Sequence, residues 1–207
     1  MRGRKAKKKG EDKVSKRTEI VFVLDRSGSM HSVLHDVIGG FNQFVKEQKA
    51  VPGECTMSLF QFDTIYEPVY VGKNIQEVEE LTLATFQPRG STALNDAVGR
   101  AIVETGAALA ARDEKDRPEL VLFCIYTDGH ENASREYSSQ QVKTLIEQQT
   151  DVYKWEFSFL GAGVDQFDTA GVYGIPMQNA QFFVNTGVGV RSAMSGQSSL
   201  YAAMRNS

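Results

Sequence analysis

Apolar residues run on without alternation in "EIVFVL" (19–24), which reads as a strand buried on both faces. The periodicity then changes. Val33, Leu34, Val37, Ile38, Phe41, Phe44 and Val45 recur every three to four positions, which predicts a helix over 31–49, ended by Pro52 and Gly53. "CTMSLFQF" (55–62) and "IYEPVYV" (65–71) are two further strands. Only Asp63 and Thr64 separate them, so they form an antiparallel hairpin, and Pro68 suits the edge of a sheet. Residues 72–91 are irregular, with a helical turn near 75–80. A helix over 92–111 buries Leu94, Ala97, Val98, Ala101, Ile102, Ala108 and Leu109. "ELVLFCIYT" (119–127) is another central strand. A helix at 138–149, a strand at 154–161, a short helix near 165–173, a short strand near 181–184 and a last helix near 189–205 complete the chain. This alternation predicts an α/β fold: a doubly wound, mostly parallel central sheet with one antiparallel edge strand and helices on both faces.

Composition agrees with that picture. The 207 residues, 41% hydrophobic, suit one compact domain with a sizeable core. No apolar run approaches the roughly 20 residues that cross a bilayer, and no apolar stretch of a secretory signal follows the basic N-terminus. A cytoplasmic location without membrane association is the expectation. Cys55 and Cys124 each lie in an expected interior strand and read as buried thiols of a reducing compartment, with a disulfide as the alternative. Charge divides the chain. Residues 1–17 carry nine Lys or Arg against Glu11 and Asp12, a charge of +7 within a net −3, which leaves −10 on the rest. Residues 1–17 are therefore expected to be a disordered basic tail and 18–207 the folded domain. Such a tail meets nucleic acid, an acidic partner or only solvent. The acidic body argues against a large nucleic-acid footprint, so contact of that kind is expected to be weak and salt-sensitive.

In open α/β sheets, ligands bind at the carboxyl ends of the strands, near the point where strand order reverses. The first strand ends at Asp25, followed by Ser27 and Ser29. The strand at 119–127 ends before Asp128, and Thr92 follows the loop "QPRGST". These segments are expected to share one sheet edge, gathering two carboxylates and three hydroxyls. Hard oxygen donors suit Mg²⁺, with Mn²⁺ or Ca²⁺ next. Hydroxyls are weak, neutral ligands, so such a set leaves an ion electron-poor and open to an external anion. Taken singly, each residue has an ordinary reading as well. Ser29 and Thr92 suit helix N-caps, Asp96 suits the positive end of a helix, and Asp128 before Gly129 suits a turn.

Asp-x-Ser-x-Ser after the first strand, Thr before a later helix and Asp-Gly after a central strand resemble the metal-ion-dependent adhesion site of von Willebrand factor A domains. The matching residues are Asp25, Ser27, Ser29, Thr92 and Asp128, and the resemblance spans about 18–205. "FVLDRSGSM", "RGSTALNDAVGRAI" and "YTDGHENAS" are similar to the bacterial and phage intracellular branch. The resemblance implies a Rossmann-like sheet flanked by helices, with Mg²⁺ at its top. It implies noncatalytic protein binding, in which an Asp or Glu of the partner completes the metal's coordination. Relatives in bacteria further imply an AAA ATPase or a kinase and phosphatase system as partner. Integrin-type relatives imply a last helix that moves on ligand binding, and the polar, small-residue-rich "RSAMSGQSSLYAAMRNS" reads as weakly packed.

Around these five, Arg26 is expected to point to solvent, to meet an incoming carboxylate or to pair with Asp63 or Glu131. Asp63 and Asp96 are candidate carboxylates behind the ligands, with capping and turn roles as the plainer reading. Gly28, Gly90 and Gly129 let the backbone pass close to an ion. His31 and His35 stand at i, i+4 spacing and His130 follows Gly129, which raises a zinc alternative. Helical projection puts His31 at the border of the buried arc and His35 toward solvent, as surface or rim residues. The competing function is a Mg²⁺-dependent phosphoester hydrolase. A haloacid-dehalogenase-type phosphatase needs a second Asp where Ser27 stands and a later acidic pair where only Asp128 is present. The flank of a nucleophilic serine, Gly-x-Ser-x-Gly, and a Walker lysine motif are both missing.

Overall fold

The computed structural model describes residues 16–163 and 166–207. The reading of 1–17 as a disordered tail therefore lies outside the described residues, apart from Lys16 and Arg17. The elements are β1 (Thr18–Asp25), α1 (Leu34–Ala50), β2 (Cys55–Phe62), β3 (Tyr66–Asn74), α2 (Leu94–Ala110), β4 (Leu120–Thr127), α3 (Ser139–Tyr153), β5 (Glu156–Ala162), α4 (Gln166–Val172), β6 (Ala180–Phe183) and α5 (Gly187–Arg205). They form one six-stranded sheet in the order β3-β2-β1-β4-β5-β6. Only the β2–β3 pair is antiparallel, as a short link requires, although the link is Asp63–Ile65 and β3 starts one residue later than expected.

The unbroken apolar run of β1 resolves into two alternating faces. Ile20, Phe22 and Leu24 enter one core with Val37, Phe41 and Phe44 of α1 and Val190, Met194 and Tyr201 of α5. Val21 and Val23 enter the other, with Leu94, Val98 and Ile102 of α2 and Val142 and Ile146 of α3. Phe22 meets Phe41 and Phe44 edge-on at centroid distances of 5.3 and 5.5 Å. Each fully buried Phe contributes about 1.5–3 kcal/mol by leaving water, so β1 is the keel of both layers. Cys55 and Cys124 are free, buried thiols on the first of these cores.

Several boundaries differ from the sequence expectation. The helix expected from 31 opens instead as a 3-10 turn, Gly28–Val33, and becomes α-helical at Leu34. Both His31 and His35 are exposed, so His31 is not at a buried border. α3 is launched by a capping box between Ser138 and Gln141 and runs to Tyr153, past the expected end at 149. Lys154, in the left-handed region at φ 59°, stops it, and β5 starts only at Glu156. The polar stretch 148–151 carries no apolar period that could have announced this extra turn.

α5 is not the weakly packed helix its composition suggested. Its Met194 packs against Gly40 of α1, where a Cβ would come within 3.0 Å, and its last residue hydrogen-bonds in the interior. Arg205, 1% exposed, donates from Nη1 to the backbone oxygen of Gln48 at 2.8 Å and to Gln48 Oε1 at 3.1 Å. Gln48 Nε2 in turn donates to the backbone oxygen of Ser198 at 2.8 Å. Among the described residues, no helix is long and apolar enough to cross a membrane.

The strand order reverses between β1 and β4. β1 leads outward to β2 and β3, while β4 leads the other way to β5 and β6. The carboxyl ends of these two central strands lie side by side, and the candidate residues sit there.

Candidate metal centre

Asp25 is the last residue of β1 and is fully buried. Both its oxygens are held. Oδ1 accepts the backbone N–H of Ser27 at 2.6 Å, and Oδ2 accepts the hydroxyl of Thr127 at 2.6 Å. Burial is the largest influence on this carboxyl. It outweighs those two donors and, with the nearby Asp128 charge, moves the pKa from 3.8 up to about 6. Asp128 is also raised, again chiefly by burial, and the Ser29 and Asn185 hydrogen bonds oppose the shift.

Three hydroxyls converge beside these carboxylates. Ser27 Oγ and Ser29 Oγ lie 3.1 Å apart, and Ser29 donates to Asp128 Oδ1 at 2.5 Å. Gly129 marks their meeting point. A Cβ built there falls 2.9 Å from Thr92 Oγ1, 3.6 Å from Ser29 Oγ and 3.7 Å from Ser27 Oγ. A side chain at 129 therefore enters the space that the three hydroxyl oxygens face. The structure thus brings Asp25, Ser27, Ser29, Thr92 and Asp128 into one cradle of hard oxygens.

The capping roles open to Ser29 and Thr92 are not taken up. The Ser29 hydroxyl points to Asp128. α2 begins at Leu94, after Ala93, and its first N–H groups are capped from the loop after β4. Glu131 Oε2 accepts from Asn95 N at 2.8 Å, and Ser134 Oγ accepts from Asp96 N at 3.0 Å. Thr92 is instead fixed through its backbone. Its N–H donates to Asn132 Oδ1 at 2.9 Å, and its carbonyl accepts from Asn132 N at 3.0 Å. Asp96 accepts the N–H groups of Arg135, Glu136 and Tyr137, each at 2.8 Å. It ties that loop to α2 and does not stand behind the cradle.

Arg26 is the clearest departure. It was expected in solvent, but its side chain is 6% exposed. Nε donates to Asp63 Oδ2 at 3.0 Å, Nη1 to Gln61 Oε1 at 3.2 Å and Nη2 to Glu67 Oε2 at 2.7 Å. Arg89 joins from the next loop, with Nε to the same Asp63 oxygen at 2.9 Å. The pairing with Asp63 was among the expected alternatives, and the one with Glu131 is not formed. Asp63 therefore braces two arginines and touches none of the five candidate ligands. A lone buried carboxylate is expensive, and Asp63 draws Arg26 inward while Arg89 reaches it from a half-exposed position. Their attachment welds the Asp25–Ser29 loop to the β2–β3 hairpin.

Gly90 serves the same weld. It has φ 66°, and a Cβ there would lie 2.8 Å from Thr64 Oγ1. Its carbonyl accepts the N–H of Gly28 at 3.2 Å. Its close approach is to the hairpin tip and the Asp25–Ser29 loop, whereas only Gly129 faces the hydroxyls.

His130 is exposed on the rim. Among the described residues, no three His, Cys, Asp or Glu side chains gather into a metal-holding group, so the histidine arrangement considered for zinc is not formed. The cradle differs in kind, with two carboxylates and the remainder hydroxyl oxygens.

Two supports were absent from the sequence reading. Thr127, at the end of an apolar strand, holds Asp25 and accepts the Gly129 N–H at 3.2 Å. A hydroxyl closing the apolar "ELVLFCIYT" was visible in the sequence, but its partner, 102 residues away, was not. Asn185, between β6 and α5, donates from Nδ2 to Asp128 Oδ2 at 3.0 Å. It lies 57 residues from its partner, and nothing local announces it.

Comparison with known proteins agrees with the fold. No curated protein matches the sequence. Proximal thread matrix protein 1 from the mussel byssus is 14% identical, with a TM-score of 0.63 over 91% of this chain and 47% of that one. The chain thus spans about half the length of the mussel protein, of which a further structure has a zinc-occupied adhesion-site motif. The von Willebrand factor domain of a type V pili tip protein from Porphyromonas gingivalis is 12% identical. Its TM-score is 0.62 over 93% of this chain and 97% of that one. The manganese-loaded TRAP protein of Plasmodium vivax is 15% identical, with a TM-score of 0.58 over 86% and 72%. At such identities the likeness is one of fold. The family description "von Willebrand factor type A domain" matches residues 19–182, from the first strand into the last, and the chain belongs to that family.

Proposed function

We propose that this chain is a noncatalytic, divalent-metal-dependent protein-binding module, with Mg²⁺ held by Asp25, Ser27, Ser29, Thr92 and Asp128. The observation that carries the reading is the convergence of three hydroxyls on the space above Gly129, flanked by two carboxylates. The donor set fits a small hard cation, because every group is oxygen and the strand ends hold the groups in place. The mussel and Plasmodium neighbours, with zinc and manganese respectively, support a divalent ion at this edge.

A cation bound by so few charges supplies an electrophilic centre for an outside carboxylate. The protein's own residues do the rest. Thr127 and the Ser27 N–H orient Asp25, the Arg26–Asp63–Arg89 network fixes the loop that carries the serines, and Asn132 fixes Thr92. The partner chemistry that answers this site is an exposed Asp or Glu.

Isothermal titration of the purified chain with Mg²⁺ tests the proposal directly. Saturable binding is expected, with loss in Asp25→Ala and Thr92→Ala while circular dichroism stays unchanged. No heat at millimolar Mg²⁺ in the intact, folded chain overturns it.

A further inference from the structure

Each carboxylate of the cradle has both oxygens engaged by donors, and for Asp128 the second donor comes from a distant part of the chain. Oδ1 accepts from Ser29 at 2.5 Å, and Oδ2 accepts from Asn185 Nδ2 at 3.0 Å. Asn185 is exposed but not loosely placed. Just before it, β6 pairs with β5, and Gly163 N donates to the carbonyl of Phe183 at 2.8 Å. A tight turn follows, with Thr186 N to the Val184 carbonyl at 2.7 Å. Thr186 then caps α5, accepting the N–H of Gly189 at 3.3 Å. The amide is therefore presented to Asp128 by a strand on one side and a helix cap on the other.

We infer that Asn185 is a positioning residue for Asp128, and that by occupying Oδ2 it sets the ion preference of the site. The inference rests on the metal-binding reading above. Its physical basis is the difference between the two common hard cations. Ca²⁺ accepts carboxylates through one or both oxygens in flexible shells of six to eight ligands, whereas Mg²⁺ demands a near-ideal octahedron of short bonds. With Oδ2 held by an amide, Asp128 presents a single oxygen toward the hydroxyls. Asp25 is restrained in the same manner by Ser27 N and Thr127 Oγ1. A cradle of singly presented oxygens favours the smaller ion. Release of Asp128 Oδ2 lets that carboxylate turn, which lowers affinity for Mg²⁺ and relieves the discrimination against Ca²⁺.

The test uses the full chain and the metal ions alone. Mg²⁺ and Ca²⁺ affinities are measured by calorimetry for the natural protein, Asn185→Ala and Asn185→Gln, with thermal melts in EDTA beside them. Asn185→Ala is expected to lose about 10-fold in Mg²⁺ affinity, the lower end for removal of a residue behind a metal ligand, and to lose less for Ca²⁺. Its melt in EDTA is expected to match the natural protein, because Asn185 is exposed. Asn185→Gln keeps an amide donor and is expected to recover part of the Mg²⁺ preference. If the natural chain binds Mg²⁺ and Asn185→Ala leaves the ratio of the two affinities unchanged, the inference is overturned and the metal reading stands. If the natural chain binds neither ion, the metal reading itself fails.

Discussion

Gly129 is the residue on which the cradle's geometry turns. A methyl at this position sits 2.9 Å from Thr92 Oγ1, closer than Cβ atoms normally come to any neighbour. Gly129→Ala is therefore expected to fold and to bind Mg²⁺ at least 10-fold more weakly, as calorimetry beside circular dichroism will show. Asp25 supplies a pH signature. Its folded pKa is raised by burial to about 6, so the folded state holds a proton that the unfolded chain releases near 3.8. The neutral carboxyl thus favours folding below about pH 4, and this contribution fades as pH rises through 6. In EDTA, the buried charge is expected to cost about 3 kcal/mol of stability between these limits. Urea unfolding at pH 4.5 and 7.5 captures about 2 kcal/mol of it, with Asp25→Asn as the reference that lacks the drop. Protons and metal compete for the same oxygens, so Mg²⁺ affinity is expected to fall as pH drops below 6.

Two buried arginines join elements, Arg26 beside the cradle and Arg205 far from it, and neither role is visible in their immediate sequence. Arg26 stands between Asp25 and Ser27 in a polar run, where an arginine normally reaches for water. It turns inward because Asp63, at the start of the neighbouring hairpin turn, is buried and needs a cation. Arg26→Ala is expected to cost about 3–5 kcal/mol by leaving that charge half-compensated, and Mg²⁺ should recover little of it. Chemical denaturation with and without metal measures both quantities. At the far end of the molecule, Arg205 fastens α5 to Gln48 of α1. Arg205→Ala leaves the buried Gln48 Oε1 without its donor, while the Gln48 carbonyl keeps the N–H of Val51 at 3.2 Å, and a loss of about 1–3 kcal/mol is expected with Mg²⁺ affinity unaffected. The contrast between these variants separates what holds the fold from what shapes the cradle.

For the molecule as a whole, metal binding and folding are one linked equilibrium. An ion that binds only the folded chain adds about 2.7 kcal/mol at 100 times its Kd. For a chain of this size that corresponds to a melting temperature about 5–10 °C higher, reversed by EDTA and absent in Asp25→Ala. Differential scanning fluorimetry with and without Mg²⁺ is the measurement. Most of the architecture that makes this linkage possible is legible in the sequence. An unbroken apolar run must be buried on both faces, a link of two or three residues must turn a strand back, and alternating periods must wind a sheet with helices on each side. The five candidate ligands were legible too, since strand ends at a reversal of strand order are the one place where scattered Asp, Ser and Thr residues can meet. The inward turn of Arg26, the anchoring of α5, the grip of Thr127 on Asp25 and the reach of Asn185 to Asp128 were not. Each joins side chains between 37 and 157 positions apart. Local periodicity records which face of an element is apolar, and a hydrogen bond between distant elements leaves no period behind. Such pairings are set when the layers close, because a buried charge or carbonyl then has only the partners that packing brings within reach.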